Sequence, residues 1–149
     1  MAAAAGLEPL AAFIGEWDVE AEFPVLALTA RGQTVFEWLL DGSFLVQRSE
    51  VELPEAPDST SIVSPSADGD GFTQHYFDSR GVVRLYAMTF DDDVWTLLRT
   101  APDFSPLPFS QRFTGTFADG GDTIRGRWEA SPDGAAWEKD FDITYRRRR

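Results

Sequence analysis

Along most of this chain apolar and polar residues alternate with a period of two, as in Trp95-Thr96-Leu97 and Phe141-Asp142-Ile143-Thr144-Tyr145. That period sends successive side chains to opposite faces of a strand, whereas a helix needs spacings of three and four. Ten strands are predicted: Glu16–Glu22, Gln33–Leu40, Ser43–Glu52, Thr60–Ser64, Phe72–Asp78, Val82–Phe90, Val94–Thr100, Phe109–Thr116, Thr123–Ala130 and Trp137–Arg146. Helical spacing occurs once, over Leu7–Ile14, where Leu7, Leu10 and Phe13 or Ile14 share a face and Gly15 supplies a stop. About two turns of helix do not stand alone, so this segment must dock on something larger.

Turn chemistry separates the strands. Asp41-Gly42 and Gly120-Gly121 are short hairpin signals, and Asp78-Ser79-Arg80-Gly81 and Ser131-Pro132-Asp133-Gly134 are longer ones. Asp91-Asp92-Asp93 reads as a tight acidic turn, and Leu53–Ser59 and Ala101–Pro108 as Pro-rich connections. Ten hairpin-linked strands imply an all-β fold, an antiparallel up-and-down barrel with a short N-terminal helix. Closing the sheet removes its exposed edges. A single domain over residues 1–149 is expected, with 1–6 and 147–149 disordered. The strand aromatics are core candidates, but a ten-stranded barrel is wider than its own side chains fill, and such barrels hold small ligands.

Composition narrows the chemistry. Lys and Arg number 13 against 25 Asp and Glu, a net charge of −12. That balance argues against nucleic acid and against an anionic membrane surface. No Cys and a single His exclude disulfides, thiolate catalysis and Cys-based or multi-His metal sites. Asp91–Asp93 and Asp68-Gly69-Asp70-Gly71 lack the twelve-residue spacing of a calcium loop. No apolar run spans a bilayer and the first six residues lack a signal peptide's features, so a cytoplasmic protein is expected.

Parity assigns the inward positions. Trp137, Phe141, Ile143 and Tyr145 share the inner face of the last strand, with Glu138, Asp140 and Asp142 outside. Ile124, Gly126 and Trp128 are inward on the strand before, and Phe109, Gln111, Phe113 and Phe117 on the one before that. Trp95, Leu97 and Arg99 share a face, and Arg112 points outward. At the 78–81 turn two registers compete. A three-residue loop with Gly81 left-handed pairs Tyr76 with Arg84 and Gln74 with Tyr86, which groups Gln74, Tyr76, Arg84, Tyr86 and Met88. A two-residue loop instead groups His75 with Arg84 and Tyr86, since one residue of slip exchanges the faces. The glycine favours the first. The resulting ligand-binding set is Tyr76, Arg84, Tyr86, Met88, Trp95, Arg99, Gln111, Phe113 and Trp128. A buried arginine needs an anionic partner, a ligand group or an acid such as Glu37 or Glu50. The alternative places Arg84 and Arg99 in surface ladders with neighbouring acids.

Gly15-Glu16-Trp17 on the first strand and Arg146 on the last resemble the calycin pattern of lipocalins and fatty-acid-binding proteins. The resemblance implies that Trp17 plugs one barrel end and that Arg146 lies over its indole as a cation–π pair. The architecture is similar to the ten-stranded nitrobindin-like barrel. Residues 70–146 further resemble an uncharacterised bacterial family of lipocalin-like domains, through Tyr76-Phe77-Asp78-Ser79-Arg80-Gly81, Phe109-Ser110-Gln111-Arg112-Phe113, Gly126-Arg127-Trp128-Glu129 and Asp140-Phe141-Asp142-Ile143-Thr144-Tyr145. Haem-binding nitrobindins hold the iron through a late-strand His. No His lies on Trp137–Arg146, so haem is disfavoured and no cofactor is expected.

Three functions follow. The first is binding of a small apolar or amphipathic ligand, with an anionic group on Arg84 or Arg99. The second is a cofactor-independent isomerase or cyclase in the same pocket, with His75 and Tyr86, or a carboxylate such as Glu50, exchanging protons. A third is an interaction module using the loops Leu53–Gly71 and Ala101–Pro108. His75 is equally a half-buried strand residue with a structural partner.

Overall fold

The period-two runs become ten antiparallel strands: β1 Gly15–Phe23, β2 Leu28–Leu39, β3 Phe44–Val51, β4 Ser59–Pro65, β5 Phe72–Asp78, β6 Val83–Asp91, β7 Val94–Arg99, β8 Ser110–Ala118, β9 Thr123–Ser131 and β10 Glu138–Arg147. The structure is a computed structural model and describes residues 6–67 and 69–149. The expectations for Met1–Ala5 and for Asp68 lie outside the described residues. Each strand pairs with its neighbours in sequence, and β1 pairs with β10, so the sheet is a closed barrel. Among the described residues no helix is long and apolar enough to cross a membrane.

The first helical segment is a 3₁₀ helix, Glu8–Phe13, not an α-helix. Pro9 has no N–H to donate, and a segment this short closes i to i+3 bonds, as Leu10 N–H does to Leu7 O at 2.9 Å. It stoppers one barrel end. Leu7, Leu10 and Phe13 are fully buried, and the Phe13 ring meets Phe36, Phe90, Trp95 and Phe117 edge-on at centroid separations of 5.0–5.2 Å. Trp17 lies in the same layer and donates its indole N–H to Phe13 O at 2.9 Å.

The cation over Trp17 is Arg147, not Arg146, at 4.2 Å from the ring centroid. Tyr145 points inward, so residue 147 does too, while Arg146 is exposed opposite Asp18. Arg147 also donates to Ile14 O (2.5 Å), Ala12 O (2.8 Å) and Gly121 O (3.3 Å) and pairs with Asp122 (3.3 Å). Gly15 makes room for it. A Cβ there would lie 2.7 Å from Arg147 Nη1, and the φ of +136° disfavours other residues. Residues 147–149 are therefore tied into the barrel, with Arg148 N–H bonded to Glu16 O at 2.8 Å and Arg149 paired with Asp122.

Two inward assignments change. A β-bulge between Lys139 and Phe141 breaks the parity of β10. Trp137 thereby falls outside, beneath the Arg112 guanidinium at 4.3 Å, and Asp140 turns to the rim of the interior. Phe109 precedes β8 and stays half-buried. The 78–81 turn takes the glycine-bulged register, with Gly81 at φ +83°, Tyr76 opposite Arg84 and Gln74 opposite Tyr86.

Candidate functional site

Above the stoppered end the barrel holds a cavity of about 470 Å³. Its volume comes from small inward residues on one side: Val19 and Ala21 on β1, Ala30, Gly32 and Thr34 on β2, Ser49 on β3, Ser59 and Ser61 on β4. Facing them are large ones, Tyr76, Tyr86, Trp95, Phe113, Trp128, Phe141 and Tyr145. The apolar wall is a linked set of rings, Trp95–Phe113 at 4.6 Å, Phe113–Trp128 at 5.2 Å and Tyr86–Trp128 at 5.7 Å. Gly115 and Gly126, opposite each other on β8 and β9, form the shelf under Phe113. A Cβ on Gly126 would stand 2.5 Å from that ring.

Of the predicted ligand-binding residues, Tyr76, Arg84, Tyr86, Trp95, Gln111, Phe113 and Trp128 line the cavity together. Met88 does not. It lies opposite Phe72 and Leu97 in the closed core. Arg99 points inward but is 3% exposed and engaged. Its Nε and Nη2 donate to Asp103 at 2.9 and 3.1 Å, and Nη2 donates to Ser105 O and Pro106 O. Asp103 also accepts from Leu85 N–H and Ser105 N–H. The Arg99 hydrogen bond and these N–H groups hold its carboxyl well below the usual carboxylate range. The partner thus comes from the β7–β8 loop, not from Glu37, which pairs outside with Arg48, nor from the exposed Glu50. Strand parity carries no information about a loop acid.

His75 lies between Gln74 and Tyr76, both of which line the cavity, so its side chain takes the outer face of β5. The imidazole proposed as a proton carrier is not in the site. Tyr86 is, and burial pushes its phenol up. It therefore keeps its proton at neutral pH and donates, to Gln111 Oε1 at 3.1 Å. Burial and the Asp78 hydrogen bond likewise raise Tyr76, whose OH donates to Asp78 at 2.8 Å. Burial pushes Tyr145 up to about 12. No imidazole stands in the lining and its phenols are protonated, so the residues usual as haem axial ligands are not offered there.

Arg84 is one of three arginines that line the cavity, with Arg31 and Arg80. Its Nη1 reaches Gln111 Oε1 at 3.3 Å, and its Nε is buried without a partner among the described residues. Also among those residues, it makes no ion pair, whereas Arg80 is held by Asp78 at 2.7 Å and Arg99 by Asp103. On the opposite wall Thr34 and Ser49 hydroxyls bond each other at 2.8 Å, beside Gln47. Sequence reasoning missed this polar wall and the small residues around it. Its signal was the run of inward Ala, Gly, Ser and Thr on β1–β4, where a packed barrel carries bulk.

No family model matches the chain, and no curated protein matches it. Among solved structures it is similar to the crystal structure of Rv2717c from M. tuberculosis, with a TM-score of 0.68, 14% identity and 99% of each chain covered. That likeness is one of fold alone.

Proposed function

We propose that this protein is a lipocalin-like, nitrobindin-like barrel that binds a small amphipathic molecule, with the ligand's anionic group on Arg84 and its apolar body against Trp95, Phe113 and Trp128. The observation that carries this is a guanidinium that faces an aromatic cavity and, among the described residues, makes no ion pair, although Glu50 and Asp140 also line that cavity. A partly desolvated cation is unfavourable until an anion or a set of acceptors meets it. Binding is favoured over turnover because the phenols beside Arg84 hold their protons, His75 takes the outer face, and the lining carboxylates Glu50 and Asp140 make no hydrogen bond or ion pair with Arg84 or these phenols among the described residues.

The test compares 2-naphthoate with the neutral naphthalene-2-carboxamide by tryptophan fluorescence at pH 7. A charge-assisted hydrogen bond favours the acid by roughly tenfold or more, and Arg84→Met removes the preference. Equal affinities in the wild type, or no binding of either compound, would overturn the reading.

A further inference from the structure

We infer that the ligand carries a second polar group, a hydroxyl or N–H donor, at the end away from its anion, and that Gln74 receives it. This rests on the proposed function and goes beyond it by naming the ligand class: a small aromatic acid bearing a distal hydrogen-bond donor.

Gln74 is 4% exposed and lines the cavity, yet its Oε1 is buried with no partner among the described residues. Of the other polar groups in the lining, Trp95 Nε1 is also buried without a partner among the described residues. The Thr34 and Ser49 hydroxyls bond each other, and Gln47 Nε2 reaches Ser49 Oγ at 3.5 Å. Trp95 Nε1 and Arg84 Nε are donors, so Gln74 Oε1 is the buried acceptor of the lining left open among the described residues. An unmatched buried carbonyl is unfavourable, which makes it a strong selector for whatever donates to it.

The register sets its place relative to Arg84. Tyr76 stands opposite Arg84, and Gln74, opposite Tyr86, lies two residues further toward the stoppered end. Two strand residues are about 7 Å, so the two polar points sit at different depths with the ring wall beside them. At roughly 30 Å³ for each water-sized group, the cavity takes about fifteen non-hydrogen atoms. A bicyclic aromatic acid with a hydroxyl on its far ring has that size and that separation of polar ends.

The test uses 2-naphthoate, 6-hydroxy-2-naphthoate and 6-methoxy-2-naphthoate. The methoxy compound keeps the oxygen and loses the donor. In the wild type the hydroxy acid is expected to bind roughly tenfold more tightly than the methoxy acid. In Gln74→Leu that gap closes, whereas Arg84→Met weakens all three acids alike and preserves it. Gln74→Leu removes an unmatched buried acceptor, so its melting temperature should equal or exceed the wild type's. Equal binding of hydroxy and methoxy acids by the wild type overturns the inference without any variant. So does a gap that survives Gln74→Leu. In both cases a preference for 2-naphthoate over its carboxamide leaves the parent reading standing, and failure of all three acids to bind overturns both.

Discussion

Replacing Arg147 by Met keeps the aliphatic stem and removes the charge from the stoppered end of the barrel. The guanidinium lies 4.2 Å over the Trp17 ring, a partly desolvated cation–π contact of about 1–2 kcal/mol. It also donates to three carbonyls. Ala12 is exposed, so water replaces the bond to its carbonyl. The Ile14 and Gly121 carbonyls are less accessible, and losing those two bonds costs about 1.5 kcal/mol each. The sum, about 4–5 kcal/mol, is at the severe end for one substitution. At about 2–4 °C per kcal/mol for a domain of this size, the melting temperature should fall by roughly 8–20 °C. Arg146→Met is the control. That neighbour is exposed on the outer face, and its loss should stay within about 0.5 kcal/mol. Urea unfolding of the two variants, followed by circular dichroism, reads the difference. Equal midpoints for both, or a larger loss at 146, would show that the register of the last strand has been misassigned.

Gly126→Ala places a methyl against the Phe113 ring, and overpacking of that kind costs about 1–3 kcal/mol. Phe113→Leu in the same chain should recover part of it, and a double-mutant cycle with no coupling would count against the shelf. The Asp103 carboxyl is held below its unfolded value of about 4. Its stabilisation is therefore complete above about pH 4 and is lost as pH falls further, toward the folded-state value. Asp103→Asn should be destabilised at pH 7 and show a shallower acid-side loss between about pH 4 and 2. Stability curves for the two proteins that run parallel through that range would refute the assignment.

Much of the fold was legible because each strand buries one face, which makes alternation and register the same information. Gly81 shows this: a left-handed glycine selects the loop, the loop sets Tyr76 opposite Arg84, and that pairing decides which residues face the cavity. Parity also separated Gln111 from Arg112 correctly. It failed where the two-residue repeat is interrupted. The bulge before Phe141 turned Trp137 outward, and no residue type near Asp140 marks it. At the last strand the parity that put Tyr145 inside already selected Arg147, and the resemblance to a Trp-cation pattern drew attention to the wrong arginine. Asp103 was out of reach because its approach to Arg99 depends on the path of an irregular loop. Hollow space leaves no motif. The cavity is written only in the smallness of Ala21, Ala30, Gly32, Ser49 and Ser61.

The pairing of β1 with β10 brings together residues such as Trp17 and Arg147 from near the two ends of the chain. During synthesis the hairpins from β2 to β9 can zip in order, each from local contacts, but the ring has no last seam until β10 emerges. Until then β1 and β9 present open edges, and the aromatic interior has no complete wall. Closure of so long a loop places the slowest step of folding at the end, where chain entropy opposes it most. The same arginine that covers Trp17 therefore also acts as the clasp of that final seam, and its loss should show in how quickly the barrel opens as well as in how stable it is.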